Sequence, residues 1–368
     1  MQQLRVIISG GGTGGHIFPA IAIANALKEL RPDTEILFVG AQGKMEMEKV
    51  PTAGYKIEGL WISGLQRKLT FTNLLFPVKV LSSMLKSLKI IRNFKPDVVV
   101  GVGGFASGPL LRAAINKKIP ALIQEQNSYP GITNKILAPR VDKICVAYDG
   151  LEKYFPKHKI ILTGNPVRKD IKNLEGKNAR GLEHFQLENN QPCILIIGGS
   201  LGARTINEAI HENLSFFINN RIQLIWQTGK TYFETAQKAV QNLSYKGIKV
   251  FDFIQKMDYA YSAADIIISR AGASSVSELA IVGKPCILIP SPNVAEDHQT
   301  KNAMSMVNKN AAILIKDIEA KNQLTDKINW LLQNPMEMQK LSVNISKLAL
   351  ANADIEIATE VIKLGLKK

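Results

Sequence analysis

Short, almost continuously apolar runs alternate with longer mixed stretches along the whole chain. Runs of this length between turn residues are typical of strands buried on both faces of a parallel sheet. We therefore predict strands at residues 5–9, 35–40, 97–102, 120–125, 143–147, 193–199, 222–228, 248–254, 265–269, 285–290 and 311–316. The stretches between them are predicted helices, for example 19–30. This alternation predicts an α/β fold of βαβ units with right-handed crossovers.

The strand pattern is interrupted once, by a polar and charged stretch at residues 165–191. We place a domain boundary near residues 164–165, and the tail 335–368 has a helical pattern without a strand. Each half opens with a strand, a glycine-rich turn and a helix. Two Rossmann-like lobes are therefore predicted, with ligands bound outside the carboxyl ends of their strands.

The net charge of +15 is distributed unevenly. Residues 1–165 carry 22 Lys and Arg against 11 Asp and Glu, whereas residues 166–368 carry 24 against 20. The first half therefore favours an anionic partner, with nucleic acid, anionic lipid and a phosphorylated substrate as candidates.

The chain shows neither a secretion signal nor a stretch approaching the roughly 18 to 20 apolar residues of a spanning helix, so we expect a cytoplasmic start. The three cysteines, Cys145, Cys193 and Cys286, lie in separate apolar runs. They are predicted to be reduced core thiols rather than metal ligands or disulfides.

The first glycine-rich turn, SGGGTGGHIFPA at residues 9–20, lies between a strand and a helix, where free N–H groups favour an anion. Gly10, Gly12 and Gly15 also satisfy the G-x-G-x-x-G pattern of dinucleotide sites. Such a site needs an acidic residue at the end of the second strand, but that strand ends FVGAQG at 38–43. An NAD-dependent oxidoreductase is therefore disfavoured.

His16 closes this turn. It is either a capping or packing histidine or a general base, since imidazole titrates near neutral pH.

Two turns of the second half suit a nucleotide diphosphate. GGSLGAR (198–204) follows a strand, and SRAGASSVSELA (269–280) places small and hydroxyl residues at a helix start. Ordinary helix capping is the alternative. Glu278, about one turn into that helix, is either a ligand of both ribose hydroxyls or an acid favoured by the helix dipole. The chain has no Walker motif and no Asp-x-Asp or His/Cys cluster for a metal.

Seven motifs occur in order: GGTGGH (11–16), GVGGFASGP (101–109), EQN (125–127), GNPVR (164–168), GGSLGA (198–203), ASSVSE (273–278) and EDHQTKNA (296–303). Over nearly the whole chain, this series resembles the bacterial peptidoglycan glycosyltransferases that transfer N-acetylglucosamine from UDP-GlcNAc to lipid I, forming lipid II. The resemblance implies an inverting transfer to the C4 hydroxyl of the muramyl sugar, with no metal and no further cofactor.

The resemblance also implies a GT-B fold, in which two Rossmann-like lobes with parallel sheets face each other across a cleft. Residues 1–164 would form the acceptor- and membrane-binding lobe, 165–345 the UDP-sugar lobe, and 346–368 a helix returning toward the first lobe.

The family's functional positions carry over residue by residue. His16 and Glu125 are implied for acid–base catalysis. UDP-GlcNAc binding is implied for Thr13, Gly14, Gly15, Asn127, Arg168, Ser200, Ile254, Ala273, Ser274, Ser275, Val276, Ser277, Glu278 and Gln299. Among these, Asn127 and Gln299 are implied for the sugar, Arg168 and Ser200 for the diphosphate, and the backbone of Ile254 for uracil. The loop 290–299 departs from the commoner pattern, with His298 where many members have Gln.

Between Glu58 and Asp97 there is no acidic residue, although the stretch is rich in both basic and apolar residues. Its basic residues are Arg67, Lys68, Lys79, Lys86, Lys89, Arg92 and Lys95. A helix covering the lobe would explain the apolar residues but not the absence of acids. We predict that residues 61–95 dock on anionic lipid, which makes the protein peripheral on the cytoplasmic face of the plasma membrane.

Three rival hypotheses remain. The first is a GT-B glycosyltransferase with a soluble acceptor, against which the basic, acid-free stretch argues. The second is the NAD-dependent oxidoreductase. The third is a non-catalytic RNA-binding protein, for which the chain offers no nucleic-acid-binding motif.

Overall fold

A computed structural model of the protein describes residues 3–64, 75–199 and 201–367. The chain divides into two compact units. Unit 1 comprises Met1–Val167 and Asn352–Lys368, and unit 2 comprises Arg168–Ala351.

The described part of unit 1 contains a seven-stranded parallel sheet in the order β3-β2-β1-β4-β5-β6-β7. Its strands are β1 (Arg5–Ser9), β2 (Glu35–Ala41), β3 (Lys56–Leu60), β4 (Val98–Gly101), β5 (Ala121–Glu125), β6 (Lys143–Val146) and β7 (Ile160–Leu162). The accompanying helices are α1 (Gly14–Leu30), α2 (Glu46–Thr52), α3 (Phe76–Phe94), α4 (Ser107–Asn116) and α5 (Ile132–Leu137).

Unit 2 has a six-stranded parallel sheet within its described residues, in the order β10-β9-β8-β11-β12-β13. Its strands are β8 (Cys193–Ile197), β9 (Gln223–Gln227), β10 (Ile248–Phe251), β11 (Ile266–Ser269), β12 (Cys286–Leu288) and β13 (Ile313–Leu314). Its helices are α6 (Asn178–His184), α7 (Arg204–Glu212), α8 (Leu214–Asn219), α9 (Lys230–Gln241), α10 (Met257–Ala263), α11 (Ala273–Val282), α12 (His298–Val307), α13 (Ala320–Gln333) and α14 (Pro335–Ser346).

The last helix, α15 (Ala353–Leu366), belongs to unit 1 rather than to the unit that precedes it in the chain. Ile357, Val361 and Leu364 of α15 join an apolar cluster with Val6 and Ile8 of β1. Burial of these side chains stabilises the position of the helix by roughly 1.5 to 3 kcal/mol each.

The central strands form because their residues are apolar on both faces and helices cover both sides of each sheet. Residues 193–197 of β8, for example, are all buried. The predicted core thiols are confirmed, since Cys145, Cys193 and Cys286 are buried and form no disulfide. Burial raises the pKa of each thiol to about 12, so none is a ready nucleophile.

Two strands escape the sequence pattern, the edge strands β3 and β7. They contain exposed or half-buried residues because an edge strand is covered less than a central one. The first helix also begins earlier than predicted, at Gly14 instead of residue 19, and Pro19 lies inside it. The last residues of the glycine-rich turn are therefore helical. No helix in the described part of the chain is long and apolar enough to cross a bilayer.

Candidate functional site

Each sheet has one topological switch point, where the connections that leave two neighbouring strands lead toward opposite edges of the sheet. In unit 1 it lies between β1 and β4, and in unit 2 between β8 and β11. Ligands of open α/β sheets bind outside the strand ends at such points. The glycine-rich segments 10–13, 102–106 and 198–203 follow β1, β4 and β8 directly, and the segment 270–273, which contains Gly272, follows β11. The loops at the two switch points are therefore the same loops that contain the sequence motifs.

The two loops of unit 1 lie against each other with no room for a side chain between them. Gly104 has a φ of +88°, and a Cβ there would lie 2.4 Å from the carbonyl oxygen of Gly11. Ser107 Oγ lies 2.9 Å from the carbonyl oxygens of both Ser9 and Gly103 and ties the loops to the strand end. The loops form one backbone-lined surface beside the start of α1.

A buried carboxylate, Glu46, holds the first of these loops. It accepts hydrogen bonds from the N–H groups of Gly12 and Ala41, each 2.9 Å long. No acidic residue follows β2 directly in the sequence, but Glu46 reaches back to the end of that strand from α2. Its oxygens bind the protein's own backbone, so its role is to shape the loop.

His16 lies in the first turn of α1, just after the extended cap residue Thr13. The Thr13 carbonyl accepts hydrogen bonds from His16 N at 3.1 Å and Ile17 N at 3.2 Å. Gly14 and Gly15 complete the turn, whose backbone N–H groups and positive dipole end favour an anion. The half-buried imidazole places Nδ1 3.0 Å from Oε1 of Gln126, a contact that the motifs did not single out.

Glu125, the other predicted catalytic residue, is 2% exposed at the end of β5. One oxygen accepts from N and Nδ2 of Asn127 at 3.0 and 3.3 Å, and the other from Gly131 N and Asn134 Nδ2 at 3.1 and 2.8 Å. Burial raises the pKa of Glu125, and these hydrogen bonds oppose the shift. The carboxylate thus organises the following loop and positions Asn127, which favours His16 over Glu125 as the base.

In unit 2, the residues predicted for the diphosphate and ribose begin helix α11, capped by Gly272. Ala273, Ser274, Ser275 and Ser277 are half-buried, whereas the Val276 side chain is buried in the core. The start of α11 therefore offers backbone N–H groups and hydroxyls, and Val276 can contribute only its backbone.

Glu278 is oriented by two neighbours. Its Oε2 accepts a hydrogen bond of 2.9 Å from the hydroxyl of Tyr261, and its Oε1 lies 3.5 Å from Nε of Arg168. Burial raises the pKa of Glu278, while Arg168 and the Tyr261 hydroxyl oppose the rise. Tyr261 is 1% exposed and carries no predicted role, yet it fixes this carboxylate beside Arg168.

Ile254 is buried, and its N–H donates to Oε1 of Gln227 at 2.9 Å. Because this N–H is already bonded, the group left for the predicted backbone contact to uracil is the Ile254 carbonyl. Nε2 of Gln227 donates to the Gly199 carbonyl at 3.2 Å, which joins this segment to the loop after β8. Ser200, predicted for the diphosphate, lies outside the described residues.

The loop after β12 is held by one side chain from its own end and by one from the loop after β11. Oε1 of Gln299, in the first turn of α12, accepts from Ser291 N at 2.9 Å, so its amide nitrogen is the group left to donate. Arg270 donates to the carbonyls of Ile289 and Pro290 at 3.0 and 3.2 Å and also pairs with Asp317. Residues 3–64, 75–199 and 201–367 contain no group of three or more His, Cys, Asp or Glu suited to a metal ion.

Comparison with known proteins agrees over both units. A family model for the glycosyltransferase family 28 N-terminal domain matches residues 6–146, and one for the C-terminal domain matches residues 193–355. A Flavobacterium psychrophilum protein named UDP-N-acetylglucosamine–N-acetylmuramyl-(pentapeptide) pyrophosphoryl-undecaprenol N-acetylglucosamine transferase is 55% identical, covering 99% of this chain and 98% of its own. A Phocaeicola vulgatus protein of the same name is also 55% identical, covering 100% and 98%. The crystal structure of MurG from Acinetobacter baumannii superposes with a TM-score of 0.81 at 27% identity, covering 98% of this chain and 99% of that one.

Proposed function

The chain belongs to glycosyltransferase family 28, and we propose that it transfers N-acetylglucosamine from UDP-GlcNAc to lipid I, forming lipid II. The observation that carries this proposal is the 55% identity over 99% of the chain to a relative named for that reaction. The arrangement of unit 2 supports it, because the start of α11 suits a diphosphate and Glu278 suits a ribose.

The chemistry follows from the residues described above. The departing UDP gains negative charge as the glycosidic bond breaks, and the N-terminus of α11 together with Arg168 stabilises that charge. His16 accepts the proton of the C4 hydroxyl of the muramyl sugar as this oxygen attacks the anomeric carbon. Thr13, Gly14, Gly15, Asn127 and Gln299 bind the sugar and diphosphate.

Direct assay tests the reaction. Purified protein, UDP-GlcNAc and a lipid I analogue with a short prenyl chain should yield UDP and a β-1,4-linked disaccharide in equal amounts. The matched control is the same acceptor lacking the C4 hydroxyl, which should give no product. Equal turnover of both acceptors, or no transfer to the complete one, would refute the assignment.

Ribose recognition by Glu278 gives a prediction of its own. Glu278→Ala should weaken UDP and UDP-GlcNAc binding alike, by about 1 to 3 kcal/mol, the value of a hydrogen bond to a charged group. Calorimetry with UDP and 2′-deoxy-UDP measures it, and the wild type should discriminate between them whereas the variant should not. If the carboxylate serves only Tyr261 and Arg168, the melting temperature will fall while the wild type binds both nucleotides equally.

We propose further that unit 1 associates peripherally with anionic lipid through α3, at the cytoplasmic face of the plasma membrane. One face of this helix packs on the core through residues such as Ile90 and Ile91. The opposite face forms an outer stripe that is apolar at its start and basic at its end: Val78, Leu81, Leu85, Lys89 and Arg92. An exposed stripe of this kind suits the boundary between lipid tails and anionic head groups.

Not every basic residue of the predicted surface is available to lipid. Lys79 donates to Ser63 Oγ at 3.0 Å, and Lys86 donates to the Gly59 carbonyl at 2.8 Å. Lys89, Arg92 and Lys95, by contrast, line an open groove of about 830 Å³ together with Lys117 and Lys118. Arg67 and Lys68, with apolar residues Leu65, Leu69, Phe71 and Leu74, lie outside the described residues.

A further inference from the structure

Three buried amide side chains of unit 1 form a hydrogen-bonded chain that ends at His16. Gln124, Gln126 and Asn165 are each at most 1% exposed. Nε2 of Gln124 donates to Oδ1 of Asn165 at 2.9 Å, and Nδ2 of Asn165 donates to the main-chain carbonyl oxygen of Gln126 at 2.9 Å. Nε2 of Gln126 in turn contacts Oε1 of Gln124. Gln126 of the EQN motif and Asn165 of the GNPVR motif are thus hydrogen bonded to each other, and Gln126 also contacts the imidazole of His16.

The orientation of the Gln126 amide is determined by its acceptors. Nε2 of Gln126 donates to the carbonyl oxygen of Val102 at 2.8 Å. A carbonyl oxygen only accepts, so the opposite amide orientation would set two oxygens against each other. Oε1 of Gln126 therefore faces His16, 3.0 Å from Nδ1.

From this contact we infer that Gln126 is a positioning residue that holds the proton of neutral His16 on Nδ1 and leaves the lone pair on Nε2. An amide oxygen carries no proton, so the hydrogen bond exists only when Nδ1 donates. Nε2 is then the nitrogen that takes the acceptor's proton. This inference rests on the proposed role of His16 as base and adds which nitrogen acts and what selects it.

Strand geometry explains why Gln126 and its neighbours have different tasks. Side chains alternate between the two faces along an extended segment, so Gln124 and Gln126 share one face and Glu125 and Asn127 the other. The contacts follow this division: Gln126 meets Gln124 and His16, whereas Glu125 meets Asn127. Residues 124–127 therefore contact the proposed base, His16, through Gln126 and position the predicted sugar ligand, Asn127, through Glu125.

The tautomer can be observed directly. Long-range ¹H–¹⁵N spectra of protein labelled at its 5 histidines distinguish the two neutral forms, and His16→Gln assigns the resonances. At a pH where the ring is neutral, wild-type His16 should show the Nδ1–H form. Gln126→Met removes the acceptor while nearly preserving side-chain volume. It should shift His16 toward the Nε2–H form and lower kcat by about 10- to 100-fold, the loss seen when the hydrogen-bond partner that orients a metal-binding histidine is removed.

Two further variants separate positioning from stability. Gln126→Glu retains an acceptor oxygen, and its carboxyl, kept protonated by burial, can donate to the Val102 carbonyl as the amide does, so this variant should keep the Nδ1–H form and exceed Gln126→Met in kcat. Gln223→Met removes a buried glutamine of unit 2 that bonds the Glu188 and Gln191 carbonyls, and it should leave both kcat and the His16 spectrum unchanged.

An Nε2–H form in the wild type would overturn the inference without any variant, and so would an unchanged tautomer and kcat in Gln126→Met. The spectra do not depend on the reaction. Full activity of His16→Ala would refute the role of His16 as base, and with it the catalytic part of the inference. The tautomer measured in the wild type would still decide the structural part.

Discussion

His16→Ala is expected to lower kcat by about 10² to 10⁴, the usual contribution of a general base. UDP affinity should be nearly unchanged, because most of the residues proposed to hold the nucleotide, among them Arg168 and Glu278, belong to unit 2. The pH profile gives a second readout. Wild-type activity should fall on the acidic side as the imidazole takes a proton, and this dependence should vanish in the variant.

The control for this variant is His211→Ala. His211 is also half-buried and hydrogen bonded, with Nδ1 3.0 Å from the Tyr232 hydroxyl, but it belongs to unit 2 and has no proposed role in catalysis or binding. A comparable loss of melting temperature with retained kcat would isolate the chemical role of His16. If His16→Ala keeps wild-type kcat and acid dependence, the base is another group, and Glu125 is the first to test.

The sheets could be predicted from the sequence because their central strands are apolar on both faces. Every predicted strand forms, and the α/β fold and family inferred from the motifs are confirmed. The edge strands β3 and β7 could not be recognised, since most of their residues are exposed or half-buried and give no continuous buried run, although the edge strands β10 and β13 were predicted. The early start of α1 escaped prediction because glycine has low helix propensity.

The position of a candidate-site residue could be predicted where it lies at a strand end or near a helix start. His16 and Glu278 have such positions, and their functional roles stay predictions. Glu46 and Tyr261 are not, because their roles depend on partners far along the chain: Glu46 bonds Gly12, and Tyr261 bonds Glu278. Such contacts are set by packing between elements, which local pattern does not encode. Gln126 could have been found from strand alternation, given the residues on either side of it.

Replacing Lys89, Arg92 and Lys95 with Gln should weaken binding to anionic vesicles by roughly two orders of magnitude, at about 1 kcal/mol per charge near an anionic surface. These residues form the basic end of the outer stripe of α3 and the adjacent groove wall, and the described residues contain no ion pair to any of them, whereas Lys86 pairs with Glu58 at 3.7 Å. Raising salt should weaken the wild type and reduce its advantage over the variant.

The matched control carries the same loss of charge on unit 2, as Lys230→Gln, Lys238→Gln and Lys246→Gln, all exposed. Co-sedimentation with phosphatidylglycerol vesicles should separate the two triple variants, and neutral phosphatidylcholine vesicles should bind all the proteins weakly. Turnover of the short-chain acceptor should survive in both, because the charges act on the lipid surface rather than on the reacting sugar. Equal vesicle binding by the two variants would mean that net charge alone attracts the protein. A gel shift with RNA lost only in the α3 variant would instead assign the basic surface to nucleic acid.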